Sequence, residues 1–259
     1  MEGMLPALAD GEVVAPAGPT ARWRPRRPEL AAVVAAGWTT VVPADVRTLR
    51  VLPDAAIDLV FAGEHLAVAG PDTRPCLEQL PPGRVIGLQL HPAAVPAVLG
   101  VPAAAIRDER VPLRELWGAA GRDLAEQLAG THDARQAAGR LAAACAARWV
   151  EGRPLPPVAN ALRRRLVGGR PLDLRELGTS ERQLRRTCTA AYGYGVRTLR
   201  RIVRFQAVVE LLGAGDDATL SEIAYRTGHA DQAHLSREVA ALSGLTPAAL
   251  RAALTPGPA

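Results

Sequence analysis

Between residues 30 and 110 the apolar positions come in short runs separated by Pro/Gly turns. Trp38-Thr39-Thr40-Val41-Val42, Ile57-Asp58-Leu59-Val60-Phe61, Leu66-Ala67-Val68-Ala69 and Val85-Ile86-Gly87-Leu88-Gln89-Leu90 have the length and composition of strands. Leu52-Pro53-Asp54, Gly70-Pro71-Asp72 and Pro81-Pro82-Gly83 between them are turn material. Many short strands with such punctuation predict a small β-barrel or sandwich. From about residue 113 the spacing changes: Leu116, Ala120, Leu124 and Leu128 recur near helical intervals. A second stretch, nearly all Ala, Arg and Leu, follows Thr131-His132-Asp133 and runs to Trp149. So Ala-rich a helix suits close packing on another helix, of the same chain in a hairpin or of a second subunit in a homodimer. Gly152-Arg153-Pro154-Leu155-Pro156-Pro157 ends the helical pattern and predicts a semi-rigid linker.

The last third repeats itself. Leu184-Arg185-Arg186, Ala190, Gly193, Leu199 and Arg200 recur 51 residues later as Leu235-Ser236-Arg237, Ala241, Gly244, Leu250 and Arg251. A glycine precedes each copy, Gly178 and Gly228. Short helix, tight turn and second helix, twice over, is the pattern of two tandem helix-turn-helix units, able to enter two successive major-groove segments.

Charge sharpens that picture. The chain has 259 residues and a net charge of +5, and all 31 of its basic residues are arginine. Residues 1–153 are nearly balanced, with 16 arginines and 17 acids. Residues 160–204 hold 12 arginines against Asp173, Glu176 and Glu181, and residues 205–259 hold three against six acids. Positive charge is thus concentrated at the first copy, as expected for a partner with phosphates. Cys76, Cys145 and Cys188 are odd in number and far apart, which predicts no disulfide framework, no zinc site and a reducing cytoplasm. The start lacks a signal-peptide pattern, and no apolar run reaches membrane-spanning length. With no P-loop, glycine-rich fingerprint or Ser/His/Asp set, neither an enzyme nor a cofactor is expected. His65, His91 and His132 are isolated, and no second ligand accompanies His234, so no metal is expected either. Asp54, Asp58, Asp72 and Arg74 could line a pocket; for Asp54 and Asp72 an ordinary turn role is preferred, which leaves Asp58 and Arg74 as candidate effector-binding residues.

In the first copy Ser180 is a strong N-cap, with Gln183 completing a capping box. On a helix from there, Arg182, Arg185 and Arg186 share one face, opposite Leu184, Cys188 and Ala191. The arginine fork fits the O6/N7 edge of guanine or a phosphate. After Tyr192-Gly193-Tyr194-Gly195 a longer helix is predicted from Val196 to Leu212, with Arg197, Arg200, Arg201 and Arg204 in one stripe and Ile202, Phe205, Val209 and Leu212 in another. Few acids lie nearby in sequence, which favours a nucleic-acid contact over salt bridging for that stripe. In the second copy Asp231 is the expected N-cap. Gln232, His234, Ser236 and Arg237 then fall in the first turns, with Leu235 and Val239 turned inward.

These residues resemble a known family. Leu220-Ser221-Glu222-Ile223-Ala224, Gly228, Asp231 to Arg237 and Gly244-Leu245-Thr246-Pro247 are similar to the DNA-binding domain of the AraC/XylS transcription regulators, and Arg204-Phe205-Gln206-Ala207 resembles that family's linker helix. The resemblance spans about residues 160–252. It implies that Arg182, Arg185 and Arg186 read bases in the first unit, and Gln232, His234, Ser236 and Arg237 in or beside the reading face of the second. Arg50 to Asp54, Asp58 to Val60, Ala69 to Pro75 and Pro112 to Trp117 are similar to a sensor domain of actinobacterial members. The expected fold is therefore α+β: a β-rich, cupin-like N-terminal domain with a helical subdomain, then an all-α domain of two helix-turn-helix units. The expected layout is a poorly ordered segment 1–28, a sensor or dimerisation domain 29–151 (β-rich to about 112, helical 113–151), a linker 152–158 and a DNA-binding domain 159–254. The expected function is sequence-specific regulation of transcription in the nucleoid, as activator or repressor. Double-stranded DNA, a small-molecule effector, RNA polymerase and a second copy of the chain are the expected partners. An enzyme or repair domain fused to a DNA-binding domain, and a nonspecific architectural binder, are the alternatives.

Overall fold

The computed structural model describes residues 12–14, 21–131, 133–151, 155–214 and 218–255. Residues 152–154 of the linker expected at 152–158, and His132, thus lie outside the described residues.

The strand pattern folds into two sheets. Six strands, β2 (Ala21–Trp23), β3 (Val34–Val42), β5 (Asp58–Ala62), β6 (His65–Ala69), β8 (Gly83–Leu90) and β9 (Arg110–Pro112), pair in the order β2-β3-β8-β5-β6-β9, all antiparallel. Three more, β1 (Glu12–Val14), β4 (Thr48–Val51) and β7 (Cys76–Glu78), form a second sheet in which β1 runs parallel to β4. The four runs read from sequence are β3, β5, β6 and β8. The segment 1–28 is not uniformly irregular: β1 and β2 both come from it, and α1 (Pro28–Ala31) begins at its last residue.

Alternation decides which face is buried. Leu59, Phe61, Leu66, Val68, Ile86 and Leu88 point to one side of the large sheet and meet α2 (Val95–Leu99), α3 (Leu113–Trp117), α4 (Ala119–Ala129) and α5 (Ala134–Glu151) in one apolar cluster. Ala137, Ala138, Leu141, Ala142 and Cys145 of α5 are buried there. The Ala-rich stripe is therefore covered within the chain, by α2, α4 and the strands β3 and β8. The other side of the sheet faces the three-stranded sheet across Val13, Val42, Leu49, Ala62 and Val85. This is an open, cupin-like arrangement.

The C-terminal helices are α6 (Val158–Val167), α7 (Glu181–Tyr192), α8 (Val196–Gly213), α9 (Leu220–Arg226), α10 (Gln232–Ser243) and α11 (Pro247–Leu254). Their core, with Leu162, Leu184, Leu199, Ile202, Phe205, Leu235 and Leu250 among its fully or nearly buried members, extends into Val14, Leu52, Ala55 and Ala93 of the N-terminal region. Burial of side chains such as Val14 and Leu52, at roughly 2 kcal/mol each, joins the two halves through a shared core. Polar contacts follow the same seam: Gln206 Nε2 donates to Pro53 O, and Ala93 N donates to Asn160 Oδ1 at 2.9 Å.

Candidate nucleic-acid interface

The first unit starts irregularly. Gly168-Gly169-Arg170-Pro171 stops α6, and the segment preceding α7 is a single turn, closed by Leu177 N to Asp173 O and Thr179 N to Leu174 O, where a scaffold helix was expected. The helix that follows starts where predicted, but the capping box expected from Gln183 is only half made, with no return bond from its side chain among the described residues. Ser180 caps α7 by accepting from Gln183 N at 3.2 Å. Leu184, Cys188 and Ala191 are buried, and Arg182, Arg185 and Arg186 stand exposed, with no ion pair or side-chain hydrogen bond among the described residues. Tyr192 on the last turn is buried and donates to Ala159 O at 2.8 Å, which ties α7 to α6 in place of the missing helix.

The arginine stripe of α8 divides in two. Arg197 and Arg200 are exposed and unpaired. Arg201 and Arg204 instead hold Glu238 of α10, at 3.1 and 2.8 Å. Glu238 is buried, and its other contact is His229 Nε2 at 2.6 Å, whose Nδ1 meets Thr227 Oγ1 at 2.8 Å. Burial pushes the His229 ring below its ordinary value of 6.5, against the pull of Glu238. Contrary to the expectation from the scarcity of acids nearby in sequence, Arg201 does form a salt bridge: the acid comes from 37 residues away and braces α8 against α10.

The second unit follows its sequence closely. Thr219 and Glu222 cap α9 reciprocally, Gly228 turns the chain at φ +72°, and Asp231 accepts from His234 N at the start of α10. Leu235 and Val239 are buried, as expected. Gln232 and Arg237 are exposed, and His234 and Ser236 half-buried. Their polar atoms are already organised: Gln232 Oε1 accepts from Ser221 Oγ at 3.2 Å, Ser236 Oγ donates to Gln232 O at 2.9 Å, and His234 Nδ1 accepts from Ala230 N at 3.3 Å. His229 lies edge-on to His234 with ring centres 5.3 Å apart, and among the described residues no cluster of three metal-ligating side chains forms. The repeat-equivalent arginines have diverged, because Arg200 is free while Arg251 donates to Ala218 O at 2.7 Å.

The two candidate effector residues are not joined. Asp58 lies on the inner face of the large sheet, accepts from Trp38 Nε1 at 2.7 Å, and is pushed up to about 7, first by burial and then by Asp54. Arg74 is exposed on the loop between β6 and β7. Asp54 has the expected turn role, accepting from Ala56 N. Asp72 does not: it is buried and forms a bidentate pair with Arg110 at 2.8 and 2.9 Å. That pair joins residues 38 apart, beyond any local pattern.

Residues 174–253 match the family described as "Helix-turn-helix domain", and residues 22–112 match one described as a domain of unknown function. No curated protein matches. Among solved structures, ToxT from Vibrio cholerae is similar at 11% identity over 84% of this chain and 98% of that one, with a TM-score of 0.45. ToxT bound to (E)-4-(8-methylnaphthalen-1-yl)but-3-enoic acid gives 12%, 85%, 98% and 0.45. Capped helices, a linking helix and the family match together make residues 174–253 of this chain a helix-turn-helix domain.

Proposed function

We propose that this chain is a sequence-specific transcription regulator that works by binding, with α7 and α10 reading major-groove segments on one face of the duplex. The observation that carries this is the free set Arg182, Arg185 and Arg186, held outward by a capped helix whose opposite face is buried. Each arginine can make a bidentate guanine contact worth about 1–3 kcal/mol of discrimination. Gln232 and Arg237 supply the corresponding groups on α10, with Arg197 and Arg200 toward the phosphates.

Control passes through the N-terminal domain in this reading. A cleft of about 560 Å³ lies between β2, β3 and β8 on one side and α6 and α7 on the other. Arg22, Arg24, Arg163, Arg164 and His91 line it beside Ile57 and Leu90, with no acid among the lining residues. That chemistry supports a small anionic effector. RNA polymerase contact and self-association follow the family resemblance.

Selection of bound duplexes from a random pool tests the proposal. The full chain should enrich one bipartite sequence, bound at least a hundredfold tighter than random DNA. A specific-to-random ratio near one would reject it.

A further inference from the structure

The loop Gly70–Pro75 lies across the ends of both recognition helices. Gly193 ends α7 and Gly244 ends α10, at equivalent places in the 51-residue repeat, with φ of +78° and +72°. Pro71 packs on the first: its Cγ is 2.6 Å from where a Cβ on Gly193 would stand. Pro75 packs on the second, 3.5 Å from the same point on Gly244. An arginine accompanies each proline. Arg107 Nη1 donates to Gly193 O at 3.3 Å, and Arg50 Nη1 donates to Ser243 O at 3.0 Å. Cations suit these positions, because the last carbonyls of a helix carry partial negative charge.

The loop between the two prolines is held in one shape. Asp72 is clamped by Arg110, and Thr73 N and Oγ1 both donate to Asp108 Oδ1. Gly70 N donates to Glu109 O at 3.0 Å. A short segment of the N-terminal domain, held by these bonds, thus touches two equivalent points of two units that are also linked through α8 and the shared core.

We infer that the loop Gly70–Pro75, with Arg50 and Arg107, is a template that fixes the separation and relative angle of α7 and α10. It thereby sets the spacing the chain accepts between two DNA segments. This rests on the DNA-binding reading above and assigns Arg50 and Arg107 as positioning residues, since neither is proposed to touch a base.

The test uses the full chain and the operator obtained by selection, with one or two base pairs inserted or deleted between its two boxes. Arg107→Ala is the gentler variant, because that side chain is half exposed. For the other anchor Arg50→Ala is combined with Glu12→Ala, since Glu12 is Arg50's ion-pair partner. Circular dichroism and thermal melts establish that each variant is folded. Wild type should lose tenfold or more in affinity per base pair of altered spacing. The combined variant should lose less than threefold, while binding each box alone as wild type does, and Arg107→Lys should restore the wild-type profile at the first anchor. Three results would overturn the template: an unchanged spacing profile in folded variants, no spacing preference in wild type, or variants that bind every spacing more tightly, which would make the loop an inhibitory clamp. If wild type selects no sequence at all, the DNA-binding reading fails and the template with it.

Discussion

At the scale of single residues, similar side chains have been given different work. Arg185 and Arg186 are free on α7, Arg201 and Arg204 are consumed by Glu238, and Arg251 is bound to a carbonyl. Replacing Arg185 or Arg186 by Ala should therefore weaken operator binding by about 1–3 kcal/mol, and Arg237→Ala by less. A salt-controlled mobility-shift assay that shows equal losses would count against the first unit as the main anchor. Asp58 makes a second prediction. Its folded value of about 7, against an ordinary 3.8, means that the folded protein keeps a proton the unfolded chain has lost between those two values. The Asp58 contribution to stability must then fall as pH rises through that window. Asp58→Asn can still accept from Trp38, and should be more stable than wild type at pH 8 by at most about 4 kcal/mol, and so melt higher, with little difference at pH 4. Equal melting curves of the two proteins from pH 4 to 8 would rule this out.

At the scale of elements, local chemistry was readable and distant pairing was not. The four strand runs, the caps Ser180 and Asp231 and the inward Leu235 and Val239 all follow from neighbours in sequence, and the structure has them. The turn at 174–178 escaped that reading, because short helical hydrogen bonds do not require a full helix when Tyr192 can anchor α7 to α6 directly. β1 and β2 were hidden in a Pro- and Gly-rich stretch whose three-residue strands are too short to show alternation. Glu238 was missed for a different reason: its partners His229, Arg201 and Arg204 come from two other segments. Glu238→Ala would leave the buried His229 ring without its partner and release the partly exposed Arg201 and Arg204, and should cost about 1–3 kcal/mol, read by denaturant unfolding. A loss under 1 kcal/mol would show the cluster to be well hydrated. Gly244→Ala places a Cβ 2.7 Å from Arg50 Nη1 on a backbone at φ +72°, so a loss of about 1–2 kcal/mol is expected in the same measurement.

At the scale of the whole molecule, the two halves share buried side chains and cannot be treated as beads on a string. Val14, Leu52, Ala55 and Ala93 belong to the same apolar cluster as the recognition-helix core. Calorimetry of the full chain should show one cooperative transition, with its enthalpy equal to the van't Hoff value; two resolved transitions would contradict a common core. The uneven placement of arginine, dense over residues 160–204 and sparse beyond, also has a consequence for how binding responds to its medium. Each phosphate neutralised releases about 0.9 of a counterion, so affinity gained that way erodes as ionic strength rises. Contacts to base edges erode far less. In concentrated salt the phosphate grip of Arg197 and Arg200 should slacken while the base contacts of α7 and α10 persist, leaving a weaker complex that is nearly as selective.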